Sequence, residues 1–250
     1  MRVVRFAIDD LPKFGVLEDG SDSIVVLKSD PLFDKIEPAG QVLDLSEVRL
    51  LSPVIPRSKV VGAKLGEENK PAFFIKPNTA VVGPDVAVVK PDYAEKVYAN
   101  ANIGVVIKNL CKNVEVQDIS KYILGYTVAN NVTVKTQEIY PNDDFYTKGF
   151  DTSCVVGPWI IVDPEFEKNH LSLRTYLGKN LVSTQNIEDF SKEVLQVVSK
   201  ASKIATLLPG DIVMVSYEEN TSEVELDQMM RIDIDGVGSI SNMLVEEEVD

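Results

Sequence analysis

Short apolar runs rich in β-branched residues recur along this chain, and they limit its fold more than any other feature. Val, Ile and Thr suit a pleated, half-buried surface, and such runs bounded by Gly, Pro, Asn or Asp read as strands. They cover Arg2 to Ile8, Phe14 to Leu17, Ile24 to Leu27, Phe73 to Ile75 and Val86 to Val89. They continue through Ile103 to Ile107, Gly125 to Val128, Val155 to Val162, Ile212 to Val215 and Met230 to Ile234. One segment breaks the pattern. Ile187, Phe190, Val194, Leu195, Val198, Ala201 and Ala205 recur at helical spacing. Asn186 is placed to cap that helix, Glu188 and Asp189 fall in its first turn, and Leu208-Pro-Gly210 ends it. A shorter helix is expected over Val116 to Tyr122. The expected class is therefore mixed α+β, mostly β, not the regular strand–helix alternation of a doubly wound sheet.

The segment Leu51-Ser-Pro-Val-Ile-Pro56 reads as a boundary. It separates a small N-terminal β-rich lobe, residues 1–55, from a second domain, residues 56–250. Asp19-Gly20 marks a turn within the first lobe. Lys and Arg number 25 against 39 Asp and Glu, a net charge of −14. Such a surface repels phosphate backbones and anionic membranes, so neither nucleic acid nor membrane is an expected partner. Glu246, Glu247, Glu248 and Asp250 read as a solvated tail. No apolar stretch is long enough to span a bilayer, and Arg2 to Ile8 reads as a strand, not a signal segment, so a cytoplasmic location is expected.

A search for standard chemistry is mostly negative. Cys111 and Cys154 lack metal or redox spacing and read as buried small hydrophobes. His170 is the single histidine and sits in a polar turn, so it reads as solvated surface. Any Ser-His-Asp triad would have to use it. Gly236-Val-Gly238 follows a strand instead of opening a helix, and so is no dinucleotide fingerprint. The adjacent pairs Asp143-Asp144 and Glu67-Glu68 read as loop charges, because neighbours on an extended chain face opposite ways. The stretch Val97 to Ile107, VYANANIGVVI, is different. A core strand opens there with Asn100 and Asn102, two amides on one face.

Several segments, in order, resemble the fumarylacetoacetate hydrolase family. Pro71-Ala-Phe-Phe-Ile-Lys-Pro77, then Val82-Gly-Pro-Asp85 and Lys90-Pro91, are similar to its P-x-x-F-x-K-P…G-P…P segment. Gly125-Tyr-Thr-Val-Ala-Asn-Asn131 is similar to G-Y-T-V-x-N-D, and Lys148-Gly-Phe-Asp-Thr152 with Val156-Gly-Pro-Trp-Ile160 to K-S-F-D…G-P-W-I. Leu208-Pro-Gly-Asp211 and Ile234 to Asn242 complete the series. The resemblance implies a rolled β-structure around a central pocket, preceded by a small N-terminal β lobe, and a homodimer. It also implies Mg²⁺ or Mn²⁺ held by carboxylates, acting on the 2-keto end of a small acid that is hydrolysed, isomerised, decarboxylated or dehydrated.

At the three positions where the family carries its acidic ligands, this sequence has Asn100, Asn102 and Asn131. Neutral amides supply none of the charge that hard cations rely on, so no metal cofactor is expected. Other family positions also differ: Gly62-Ala-Lys-Leu65 and Gly66-Glu-Glu-Asn69 carry no histidine, and Lys135-Thr-Gln-Glu138 and Val215-Ser-Tyr-Glu218 depart from the family pattern. Lys148 persists as the candidate catalytic residue, with Asp151 as its local ion partner. Lys64, Lys135, Ser216 and Tyr217 are the candidate substrate-binding residues. The expected function is a metal-free binding or non-catalytic homologue with a small carboxylate or other anion as ligand. The alternative is an enzyme on acylpyruvate-type acids that uses lysines or a weakened metal site.

Overall fold

A computed structural model of the chain describes residues 1–8, 11–18, 20–66, 70–136, 143–217 and 221–247. Asp19, Glu67, Glu68, Asn69, Glu138, Glu218, Glu248 and Asp250, named above, lie outside the described residues. The N-terminal strands are β1 (Arg2–Ile8), β2 (Leu11–Leu17), β3 (Ser23–Leu27), β4 (Pro38–Asp44) and β5 (Arg49–Leu50). Next come β6 (Lys59–Leu65), β7 (Pro71–Pro77), β8 (Val81–Val82), β9 (Val88–Lys90), β10 (Ala94–Ile107), β11 (Ile123–Asn131) and β12 (Thr133–Thr136). Helix α1 (Asp144–Lys148) precedes β13 (Cys154–Ile161), β14 (Leu171–Leu177) and β15 (Asn180–Ile187). Helix α2 (Gln196–Ile204) leads to β16 (Ile212–Tyr217), β17 (Thr221–Val224), β18 (Met229–Ile234) and β19 (Gly238–Glu246).

The fold is mostly β, as expected. Among the described residues the larger sheet runs β4-β3-β2-β1-β13-β11-β10-β16-β6-β7, with β5, β8, β12 and β17 pairing off that path. A second sheet runs β15-β14-β18-β19-β9. The N-terminal strands join the main sheet because β1 pairs antiparallel with β13, Arg2 opposite Ile161 and Val3 opposite Ile160.

The helix boundaries differ from the sequence expectation. Asn186 and Ile187 belong to β15, where Ile187 pairs with Leu171, so Asn186 caps nothing. The helical segment opens instead with a π-type turn over Ser191–Leu195 and continues as α2. Ile187 satisfies both periods at once, buried on the inner face of a strand and spaced three residues from Phe190. The shorter predicted helix is a 3₁₀ segment, Val116–Tyr122.

Strand β10 organises the interior. Its odd positions, Val97 through Ile107, all lie in the largest apolar core. Its even positions face the other way, because side chains alternate across a strand. Val106 on that second face joins a smaller core with Val60, Phe74, Cys154 and Met214. Tyr98, Asn100 and Asn102 continue the same face toward the strand's start.

Candidate functional site

The three asparagines meet on the second face of β10. Ala101 pairs with Asn130 and Asn102 with Ala129 in β11, and Tyr98 pairs with Thr133 in β12. The register is the same on both sides of Val132, so Asn131 stands opposite Asn100. All three side chains are buried. On the other flank of β10, Ile103 pairs with Val215 and Gly104 with Met214 in β16. Ser216, alternating with Met214, extends that face and pairs with Lys64 of β6. Met214 Sδ lies 3.6 Å from Cys154 Sγ, and Cys154 pairs with Asn131. One continuous face thus carries Lys64, Ser216, Asn102, Asn100, Asn131 and Cys154.

Hydrogen bonding within this layer is incomplete. Asn102 Nδ2 donates to Asn100 O at 2.8 Å and to Asn100 Oδ1 at 2.7 Å. Asn100 N donates to Asn130 Oδ1 at 3.0 Å. Asn100 Nδ2, both polar atoms of the Asn131 side chain, and Ser216 Oγ are buried without a hydrogen-bond partner. Because both ends of Asn131 are unpaired, exchanging its amide O and N leaves the conclusion unchanged.

Above this layer lies a cleft of about 390 Å³, lined among others by Lys64, Tyr98, Thr133, Lys135, Lys148 and Thr221. Three candidate lysines therefore share one cleft. Lys135 pairs with Glu95 at 3.3 Å. Lys148 ends α1, whose N-terminus Asp143 caps by accepting from Phe145 N at 2.8 Å. Its ion partner is Asp144, one helical turn earlier, and not Asp151, because a helix stacks residues i and i+4. The Lys148 ammonium also lies 4.8 Å over the Phe74 ring. The far end of that ring sits against Gly62 of β6, where an added Cβ would come within 2.0 Å of it. Tyr217 does not join the cleft residues: it packs on the large core, on the opposite face from Ser216. Cys154, on this face, and Cys111, away from it, are buried free thiols, and the His170 side chain is 76% exposed.

Lys76 is the residue whose position the sequence conceals. It is fully buried on β7, and its Nζ donates to Val132 O at 2.8 Å and Lys148 O at 2.6 Å. Burial drives its pKa down from 10.5 to about 7; the Lys148 charge adds to that fall, while Cys154 and Asp144 oppose it. An amine with two carbonyl acceptors is satisfied in its neutral form. Lys76 therefore ties the end of α1 to the bend beside Asn131. Taken together, the arrangement is an uncharged amide and hydroxyl floor beneath a rim of Lys64, Lys135 and Lys148 with Asp144, two of the lysines being ion-paired.

Two family models match the chain: "Fumarylacetoacetate (FAA) hydrolase C-terminal" over residues 57–245, and "Rv2993c-like, N-terminal" over residues 1–53. Protein Rv2993c of Mycobacterium tuberculosis is 30% identical, over 99% of both chains. Among solved structures, a 2-hydroxyhepta-2,4-diene-1,7-dioate isomerase from Mycobacterium marinum is 31% identical with a TM-score of 0.87, covering 100% of both chains. A 5-carboxymethyl-2-hydroxymuconate delta-isomerase from Mycobacterium smegmatis is 29% identical with a TM-score of 0.87, over 99% of this chain and 100% of its own.

Proposed function

This chain belongs to the fumarylacetoacetate hydrolase family, and on that premise we propose that it is a binding homologue that takes a small carboxylate without a divalent metal. Its relatives and structural neighbours point to isomerase, tautomerase or hydrolase chemistry on acylpyruvate-like acids, and the family typically uses Mg²⁺ or Mn²⁺. The observation that carries the reading is the convergence of Asn100, Asn102 and Asn131, three neutral amides, on the one face where the family resemblance calls for carboxylates.

The donor set does not fit a hard cation. Mg²⁺ gives up water reluctantly and depends on anionic oxygens. Asn100 Oδ1 already accepts from Asn102, and the nearby buried base, Lys76, adds positive charge whenever it is protonated. Among the described residues no group of three or more His, Cys, Asp or Glu is placed to hold a metal. A cation here would leave its charge uncompensated in a buried site, which is costly. The rim lysines would hold a carboxylate ligand in exchange for their present contacts, Lys148 with Asp144 and Lys135 with Glu95.

Calorimetry tests this directly. Titration with Mg²⁺ or Mn²⁺ should give no binding to the native chain, and micromolar affinity would overturn the reading. The combined variant Asn100→Glu, Asn102→Glu, Asn131→Asp should gain metal binding. A second reading, catalysis with the lysines as electrophiles, is favoured by the placement of Lys64, Lys135 and Lys148 around one cleft. Turnover of an acylpyruvate in the presence of a chelator, lost in Lys148→Met, would establish it.

A further inference from the structure

A second cavity, of about 120 Å³, opens where the N-terminal strands meet the rest of the main sheet, and it shares no lining residue with the lysine cleft. Its walls are apolar: Val3, Leu32, Val54 and Ile160 are buried, while Phe33 and Ile55 are exposed. Three charged side chains, Arg5, Asp30 and Arg57, also line it. Local structure holds each of them in place. Arg5 stands on β1, where its carbonyl accepts from Leu51 N at 2.9 Å and its Nη1 donates to Ser52 O at 3.4 Å. Asp30 opens a turn: its backbone O accepts from Phe33 N and Asp34 N, and its Oδ1 accepts from Leu32 N at 2.9 Å. That turn carries Phe33, and the Arg57 guanidinium lies 4.1 Å over the Phe33 ring.

The three charges face one cavity yet do not close on one another. Asp30 meets both guanidiniums through charge alone, with no hydrogen bond or ion pair to either. Burial meanwhile pushes the Asp30 carboxyl up and the Arg5 guanidinium down from their usual values, so both gain from a partner. A guanidinium stacked on a ring keeps its in-plane N–H groups available, and Asp30 Oδ2 can take a donor. Two donor groups, one acceptor and an apolar wall between them match a molecule with a carboxylate, an ammonium and a short apolar side chain. A plain carboxylic acid would bring a second negative charge to Asp30, and a plain amine would meet two guanidiniums. A cavity of about 150 Å³ holds a benzene, so this one holds a body of a few carbons with its charged ends among the three charged groups.

We propose that this cavity binds a small apolar α-amino acid, its carboxylate held by Arg5 and Arg57 and its ammonium by Asp30. Calorimetry of the full chain should show binding of L-alanine or L-valine. The affinity should fall about tenfold or more in Arg57→Gln, which removes a guanidinium at an exposed position, and hold in Lys148→Met, which alters only the lysine cleft. In Lys148→Met, propionate and 3-methylbutanoate, the same skeletons without the amino group, should bind about tenfold or more weakly than the amino acids. Asp30→Asn keeps an oxygen for Leu32 N and should bring acid and amino acid toward equal affinity. No binding of either amino acid at millimolar concentration would overturn the site, and so would affinity lost in Lys148→Met but kept in Arg57→Gln. Equal affinity of acid and amino acid in Lys148→Met, or a preference unchanged in Asp30→Asn, would overturn the ligand class.

Discussion

Lys76 shows how much one buried base can weigh. Its pKa stands at about 7 in the folded chain against 10.5 for the ordinary group, chiefly because burial disfavours the ammonium. Between those two values the unfolded chain binds a proton that the native chain does not. Stability therefore rises with pH through that window and is flat below it, with a slope of up to about 1.4 kcal/mol per pH unit. Denaturant titrations between pH 7 and 9 should show this rise in the native chain and its loss in Lys76→Met. This interval precedes the range where Cys154, pushed up to about 11 by burial, would act in the opposite sense. A pH profile identical in the two proteins would refute the buried neutral amine. The sequence reveals Lys76 only as a motif lysine, because strand alternation gives its face but not the depth of the wall over it. The asparagines are more legible, since two amides at i and i+2 in an apolar strand must share a face. Tyr217 shows the limit of motif reading. It stands next to Ser216 in sequence, and that adjacency itself sends it to the other core.

Local pattern predicts strands well and ends poorly. β10 alternates from Val97 to Ile107, with its odd positions in the large core, so its two-faced burial is readable from sequence there; a register shift between Ala94 and Lys96 breaks the phase at its start. The start of the α2 segment is not, because Ile187 fits a strand's inner face as well as a helix stripe. Helix α1 is invisible to periodicity for another reason: its residues Asp144–Lys148 include no buried side chain. Such a helix depends on its cap and its tether. Asp143 accepts from Phe145 N and Tyr146 N, and Lys76 holds its last carbonyl. Asp143→Ala should cost about 1 kcal/mol of local stability. Hydrogen exchange should accelerate over 143–149 while protection in β10 and β11 is kept. With Lys148 less well placed, carboxylate affinity at the cleft should fall as well. Unchanged exchange in α1 would mean that the Lys76 tether alone holds it.

At the scale of the whole molecule, the two segments separated in sequence at Pro56 are joined by pairing that no local signal announces. β1 lies against β13, whose residues follow it by more than a hundred positions. Val162 N donates to Met1 O at 2.9 Å, closing the same seam. Val3, Leu32 and Val54 then enter one apolar cluster with Val106, Cys154 and Met214, on the same face of the sheet as the asparagines. The N-terminal strands thus extend the asparagine face beside the candidate site, and the core next to Asn131 on that face is built from both segments. Each segment has an apolar core of its own, and the shared sheet and shared third cluster couple their unfolding. Thermal unfolding followed by backbone circular dichroism and by the fluorescence of Trp159, which sits on the β13 seam, should give one coincident transition. Val3→Ala removes apolar contact at that junction and should lower the common midpoint, at a cost of about 1–3 kcal/mol by the usual behaviour of buried truncations. It should also weaken carboxylate binding without any contact to the cleft. Two separate transitions, with the Val3→Ala effect confined to one, would show that the N-terminal lobe stands alone and that the site owes it nothing.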